Sequence, residues 1–523
     1  MNQLFNKIFK IVSLLAFLWL MIGLGGCTKK FDEFNTDETK LLNLTAAEFP
    51  RVFSRAQSAS SLINWRYQYG QNLFADLYSQ YFYICAPYTY DRYVWQGSDL
   101  SVPWGVIYTN VVPQLKTLLD ETSPSSAENA LAQIWWVWTF HRHTDYYGPV
   151  PYFNAGISAD NVQYDSQEEI YDDFFAKLTE AVNILKDHTG ETPYGDFDLV
   201  YQGDISKWIK FANTLRLRLA LRISKVNPAK AKTEAEAAVS NGVMTDISED
   251  ALMRKTPPVG DDYGGLSSIA VWNEFRMSAS MESVLKGYND PRIGIYFQKT
   301  DSTNGFDGAR NGMLASETIL PQNSATHNSN VGTRWTSGGG YDWGNVAADQ
   351  DIMHTAEAFF LRAEGTLNGW NMGGGTAEEL YNEGIEASMH QWGIQDGAVI
   401  NSYINSNAIP IPPNDYFVSP AVNNYPVKWS SDPDMQRKHL AQQKWLALYP
   451  DGMEAWADLR RAGVQQLYPV VHSDNPDLPQ GTFIRRVTFL DLEKQTNSSG
   501  VESGKALLGG PDKTSTPLWW DKN

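Results

Sequence analysis

Helical periodicity, repeated in adjacent pairs, constrains this chain more than any other feature. Ser125-x-x-Glu128, Ser166-x-x-Glu169 and Thr376-x-x-Glu379 all have capping-box spacing, in which hydroxyl and carboxylate satisfy each other's first-turn N–H groups. Behind the first, Leu131, Ile134, Trp135 and Trp138 fall at i, i+3, i+4 and i+7, one face of a helix. Behind the second, Ile170, Phe174, Leu178, Ala181 and Leu185 form another stripe. Asp204 can cap a third helix carrying Trp208, Phe211, Leu215 and Leu219. Ala356, Phe359, Phe360, Ala363 and Leu367 mark a fourth, Thr376 opens a fifth, and residues 434–449 read as a sixth. Segments 104–121 and 126–144 are neighbours, as are 354–369 and 376–392. Such spacing predicts an all-α fold of tetratricopeptide-like helix pairs, although that repeat's consensus is not visible. Strand signals are few: VPYFNA at 150–155 and the stretch 482–490.

Between the helices lie long stretches rich in Gly, Pro, Asn, Asp and Ser: 243–275, 297–350, 396–432 and 464–523. Structureless connections above roughly 12–15 residues are uncommon in compact domains unless they have a function. A rigid frame with elaborate loops is a binding architecture.

The N-terminus is a secretion signal. Lys7 and Lys10 precede the apolar run 11–24, about 14 residues, where a membrane span needs roughly 20. It ends in Leu24-Gly25-Gly26-Cys27, which resembles a bacterial lipobox, with cleavage before Cys27 and acylation of that residue. Residues 1–26 then form a lipoprotein signal peptide, 27–45 a lipidated tether, and 46–523 a single domain. The lipid anchors the chain to a membrane it does not span. With Cys27 committed to lipid, Cys85 is left without a disulfide partner and reads as a small buried hydrophobe.

Signal removal takes two Lys and no acid, moving the net charge from −18 to about −20. So acidic a chain is a poor match for nucleic acid, whose phosphates demand basic patches. Its 18 Trp, 26 Tyr and 23 Phe are more than a core of this size needs, so some rings are expected at a binding surface.

Motifs for chemistry are weak. His141-x-His143-x-Asp145 has two imidazoles that diverge on a helix, and no third metal ligand is evident. Gly500-x-x-x-Gly504-Lys505-Ala506 is one residue short of a phosphate loop and lacks its Ser/Thr. Asp301–Asp307 is oxygen-rich and Gly-turned but off EF-hand spacing; calcium there is the one cofactor reading left open, against ordinary Asx turns. Nothing singles out the carboxylate pair that a glycan hydrolase needs. Two aromatic clusters remain, YSQYFYICAPYTYDRYVW at 78–95 and RWTSGGGYDWG at 334–344. Tyr78, Tyr81 and Phe82 have helical spacing and read as core. Beyond Pro87 the helix should break, leaving Tyr88, Tyr90, Arg92, Tyr93 and Trp95 on a loop. Arg334, Trp335, Tyr341 and Trp343 lie in a Gly-rich loop with little helical core to fill. Arg216, Arg218, Arg222, Arg460 and Arg461 read as structural, with Glu357, Glu364 and Asp458 as partners.

Several phrases, in order along the chain, resemble the SusD/RagB family of nutrient-binding lipoproteins, in its SusD-like branch. They are IGLGGC, TDYYGPVPYFNA at 144–155, WIKFANTLRLRLALRIS at 208–224, YNDPRIGIYF at 288–297, EAFFLRAEG at 357–365, QQKWLALYPDGMEAWADLRRAG at 442–463 and LWWDKN at 518–523. The resemblance implies four tetratricopeptide-like helix pairs supporting a loop-rich face. It also implies a non-enzymatic lipoprotein on the outer face of the outer membrane. Such a protein caps a SusC-like TonB-dependent transporter barrel and helps it capture oligosaccharides or, in some members, peptides. Ligand sites in that family lie on loops in these two aromatic regions. The expected contacts here are Tyr88, Tyr90, Arg92, Trp95, Arg334, Trp335, Tyr341 and Trp343, with rings stacking on sugar CH faces and polar groups orienting them. Rival readings are the same role with peptides, a surface glycan hydrolase, and a structural lipoprotein without ligand.

Overall fold

The computed structural model describes residues 45–157, 161–256, 262–337, 345–464 and 466–523. The chain separates into two units, Met1–Phe49 and Pro50–Asn523. In the first, the Glu48 carboxylate accepts from the backbone N–H and the hydroxyl of Thr45 (2.8 and 2.6 Å). The second is a stack of helices with two small sheets. Its frame is α1 (Phe49–Ser60), α2 (Val112–Glu121), α3 (Ala127–Tyr147), α4 (Gln167–Asp187), α5 (Ile205–Arg222), α6 (Pro228–Asn241), α7 (Thr355–Leu367), α8 (Ala377–Gln391), α9 (Pro433–Ala447) and α10 (Gly452–Ala462). The pairs α2/α3, α5/α6 and α7/α8 pack side by side; α3/α4, α4/α5, α5/α7, α7/α9 and α9/α10 contacts join them into a continuous pile.

The capping boxes at Ser166 and Thr376 open α4 and α8 as the spacing predicts, and Asp204 caps α5. One boundary differs. The N-cap of α3 is Ser126, which accepts from the Asn129 N–H, while the Ser125 hydroxyl pairs with Ser123. Ahead of α2 the chain winds as a wide π-helical turn over Val106–Val111. Every α3 residue except Glu128 is buried, so this helix is the centre of the molecule rather than an amphipathic wall.

The polar groups carried inward by that burial are paired. Arg218 forks onto the Glu357 carboxylate (Nε at 2.7 Å), and Arg222 pairs with Glu454 and, at 3.2 Å, with Asp145. Arg461 holds Glu364 at 2.6 Å and Asp458 at 2.7 Å, and Lys444 meets Asp458 at 2.8 Å. Arg216 takes Glu234. These bridges stitch α5 to α3, α6, α7 and α10, and α10 to α7 and α9. Glu357, Glu364 and Asp458 are the partners expected from the sequence; Glu454, Asp145 and Glu234 complete the set.

The strands are not where the sequence signals lie. β1 (Phe82–Ile84) pairs antiparallel with β3 (Phe275–Met277), Tyr83 opposite Arg276. β2 (Ala251–Met253) pairs antiparallel with β4 (Gln350–Met353), with a register shift at Ala251/Leu252. VPYFNA forms only the isolated bridge Val150–Asp165. The stretch 482–490 is extended but laces two helices: Val487 donates to the Tyr146 carbonyl and the Arg486 guanidinium to that of Tyr147 in α3, and the Arg485 carbonyl accepts from Arg460 in α10. Other irregular stretches hold short helices, such as Gly397–Ile404 and Ser498–Leu507. The closing segment seals the core, with Trp520 buried and its indole donating to Asp145 at 2.8 Å.

Candidate functional site

β1 ends at Ile84, and the next two N–H groups, of Cys85 and Ala86, both donate to the Glu274 carbonyl (2.9 and 3.3 Å). This contact fixes the loop 85–95 beside residues 271–275. Within it, Thr89 donates to the Val94 carbonyl at 2.7 Å, and the turn Tyr90–Arg92 closes on Tyr93 in the left-handed region (φ 65°).

Two of the loop residues expected to contact ligand are anchors instead. Tyr90 is 3% exposed, edge-on to Phe74 (5.6 Å), with its hydroxyl on the Asp99 carboxylate. Arg92 is 8% exposed and spent on Asp474 (2.6 Å) and the Met313 carbonyl (2.6 Å). Tyr88 and Trp95 remain at the surface, half-buried. Trp95 rests edge-on against Phe74 at 6.0 Å, and the Tyr88 hydroxyl donates to Glu274 at 3.1 Å.

Trp335, also expected to contact ligand, is packed into the core. It is 3% exposed, packed on Trp392 (5.9 Å) at the end of α8 and on Tyr449 (5.8 Å). The Gly-rich loop leaves from a point already folded onto the core. Arg334 lies over Trp335 and Trp392, 5.3 Å from each ring, and pairs with Asp351 at 3.1 Å. Tyr341, Trp343 and Cys27 lie outside the described residues.

The structure adds rings that the sequence reading passed over. Trp65 is 38% exposed and meets Tyr69 edge-on at 5.9 Å, with the Arg66 guanidinium 5.1 Å from the indole. Glu274 joins this pair to Tyr88, because it accepts from both the Gln68 amide and the Tyr88 hydroxyl. Burial, then the charges of Asp99 and Glu274, push the Tyr69 phenol above its ordinary value. Burial and then Glu274 push Tyr88 up to about 12. Both phenols therefore stay neutral donors. Trp65, Tyr69 and Tyr88 thus lie together with the carboxylates of Glu274 and Asp99, and Trp95 is joined to this group through Phe74 and Tyr90. The segment carrying Trp65 and Tyr69, N-W-R-Y-Q-Y at 64–69, gives no local signal of exposure, since Tyr67 between the two surface rings is buried.

The motifs weighed for chemistry are built into the frame. His141 stands 3.4 Å from Arg218, while His143 sits among Trp104 and Tyr108, so the two imidazoles diverge. Among the described residues no group of His, Cys, Asp and Glu is arranged to hold a metal ion. Asp307 is engaged by Lys286 and Thr303. Burial pushes the Cys85 thiol up to about 11, the wrong direction for a nucleophile.

Stacked helix pairs carrying aromatic rings and acceptor carboxylates on their loops are the architecture of a binding protein. The chain belongs to the SusD-like family of SusD and RagB outer membrane lipoproteins, whose model matches residues 30–521. Its place is accordingly the outer membrane, as a lipoprotein, and its family binds rather than catalyses. Among the described residues no helix is long and apolar enough to cross a membrane. Among solved structures, a chitin-binding SusD homologue from Flavobacterium johnsoniae is 35% identical, with a TM-score of 0.82 over 91% of this chain and 99% of its own. A SusD homologue from Bacteroides thetaiotaomicron VPI-5482 is 27% identical, with a TM-score of 0.80 over 92% and 100%. A further chitin-binding protein is 26% identical, with a TM-score of 0.75 over 91% and 100%. No curated protein matches the chain.

Proposed function

We propose that this lipoprotein captures oligosaccharides at the cell surface on the face formed by Trp65, Tyr69, Tyr88 and Trp95, and passes them to a SusC-like TonB-dependent transporter. The observation that carries the reading is the exposed Trp65 edge-on to Tyr69, next to Gln68, which Glu274 ties to Tyr88. Sugar CH faces lie flat on such rings, and Glu274 and Asp99 accept from hydroxyl or amide N–H groups. The 35% identical chitin-binding relative supports N-acetylglucosamine oligomers as the first ligand to try. Affinity need only be modest, because a ligand held at the transporter mouth is at high effective concentration.

The test is calorimetry of the full lipoprotein in detergent with chito-oligosaccharides, a panel of other soluble glycans, and a peptide mixture. Saturable glycan binding is expected, weakened about 5- to 10-fold by Trp65→Ala or Tyr88→Ala. Binding lost with Trp343→Ala but retained in those variants moves the site to the second loop. Heat from peptides alone turns the ligand class over to peptides. New reducing ends on incubation would establish a hydrolase instead. The hand-over step is checked by co-purification with a TonB-dependent barrel from native outer membranes.

A further inference from the structure

Three helices of the frame and the end of α5 enclose a cleft of about 590 Å³. Each helix turns one face to it: Glu364 and Leu367 of α7, Leu440 and Lys444 of α9, and Asp458 and Arg461 of α10 stand three or four residues apart. The half-buried indole of Trp370, three residues beyond α7, adds to the wall and meets no other ring among the described residues.

The whole chain carries 60 acids against 42 Lys and Arg, but this lining reverses the balance. Its charged residues are Lys225, Arg437, Lys444 and Arg461 against Glu364 and Asp458. The floor is neutral, because Arg461 holds Glu364 at 2.6 Å and Asp458 at 2.7 Å, and Lys444 meets Asp458 at 2.8 Å. The other two cations, Lys225 and Arg437, are exposed, and among the described residues neither has a carboxylate within ion-pair distance. Their heads rest on neutral oxygens. The Lys225 ammonium donates to the Ala462 carbonyl (3.3 Å) and the Asn523 side chain, and the Arg437 guanidinium to the Asn368 side chain (3.1 Å). Ala462 and Asn368 line the cleft themselves, so both charges end at its wall. Asp521, which also bears on Lys225, is paired with Arg485 at 2.8 Å, and the Asn523 main-chain oxygen accepts from the same guanidinium at 3.1 Å.

An anion entering the cleft therefore meets a compensated floor and two uncompensated positive charges. Low-dielectric walls around such charges focus their field and raise the local concentration of anions. Partial burial and then Arg461 pull the Lys225 ammonium below its ordinary value, and Arg437 adds to that pull against Glu364 and Asp521. Negative charge is thus what the site lacks. Two free cations match a ligand with two negative charges. Trp370 and Leu367 offer the flat apolar surface on which sugar CH faces lie, and Ser224 and Asn368 on the lining can bond hydroxyls. The volume falls within the range for small-molecule sites, roughly 300–1,000 Å³.

We infer that this cleft binds an acidic sugar with two negative charges, carried as two carboxylates or as one phosphate, with the charges on Lys225 and Arg437 and a ring against Trp370. The cleft shares no residue with the aromatic face and does not depend on it.

The test is calorimetry of the full lipoprotein in detergent with digalacturonate and glucose 6-phosphate, against neutral cellobiose and inorganic phosphate. At least one acidic sugar is expected to bind saturably, to weaken as NaCl rises from about 50 to about 500 mM, and to bind where cellobiose does not. Lys225→Met and Arg437→Met keep the aliphatic stems and remove exposed charges. Each should leave the melting temperature unchanged and weaken the acidic sugar about 5-fold, and the two together about 25-fold. Trp370→Ala should weaken it about 5- to 10-fold. Chito-oligosaccharide binding should be unchanged in every variant, so failure here is told apart from failure of the aromatic face. No binding by either acidic sugar, equal binding by cellobiose, inorganic phosphate bound as tightly as the sugars, or wild-type affinity in the double variant would each overturn the assignment.

Discussion

Arg218 and Arg222 lie one turn apart on α5, and both are essentially fully buried. A guanidinium in that position is stable only because a carboxylate shares it, and losing one partner of such a pair costs about 3–5 kcal/mol. Glu357→Gln is therefore expected to destabilise the protein by about that amount, read as a shift of the denaturant midpoint with an unchanged slope. A loss under about 1 kcal/mol would mean that Glu454, 3.7 Å from Arg218, takes over the charge. The two arginines were legible from the sequence as structural, because Arg at helical spacing beside an apolar stripe can pair with carboxylates of neighbouring helices. Their full partner set was not. In the sequence Asp145 stands out only as part of a His-x-His-x-Asp motif, and Glu454 carries no local signal.

At the scale of elements, the α7/α8 pair depends on a missing side chain. Gly384 of α8 stands against Phe360 of α7, and a Cβ there would lie 2.8 Å from the ring, which is itself 1% exposed and cannot withdraw. Alanine would gain about 1 kcal/mol of helix propensity but overpack the contact by about 1–3 kcal/mol. Gly384→Ala should therefore lower thermal stability, which a melting curve checks; a raised melting temperature would show that the two helices can separate without cost. Caps and stripes were readable because they are local: Ser166, Thr376 and Asp204 act within four residues of themselves. The same locality explains the miss at α3, where Ser125 and Ser126 both precede the stripe and only the turn geometry chooses between them. The strands were unreadable for the opposite reason. β1 and β3 have three residues each and exist only because they pair across nearly 200 positions.

At the scale of the whole molecule, His354 joins the helical frame to the second sheet. It stands at the N-terminus of α7, with Nδ1 2.9 Å from Asp250 beside β2 and Nε2 3.0 Å from Asp351 on β4, where Arg334 also pairs. Burial alone would lower its pKa, but Asp250 and Asp351 outweigh it and raise the imidazole from 6.5 to about 10. A histidine raised on folding contributes its full stability below about 6.5 and loses it as pH rises towards 10. Denaturation midpoints should thus fall between pH 7 and 10, and His354→Gln, less stable at pH 7, should fall less steeply. An equal slope in the variant would assign the loss to other groups.

The sequence by itself determined what depends on short-range pattern and on residue type. Helical periods and caps specified the frame, and the scattered phrases from residue 27 to 523 specified the family. Tertiary structure decided which aromatics face solvent. Tyr90, Arg92 and Trp335 are drawn inward by Asp99, Asp474 and Trp392, residues distant in sequence or without periodic relation to them. Trp65 and Tyr69 are left outside, and Glu274, some two hundred residues away, ties the neighbouring Gln68 to Tyr88. Burial is a property of what the rest of the chain places nearby, so no window of sequence around a tryptophan can report it.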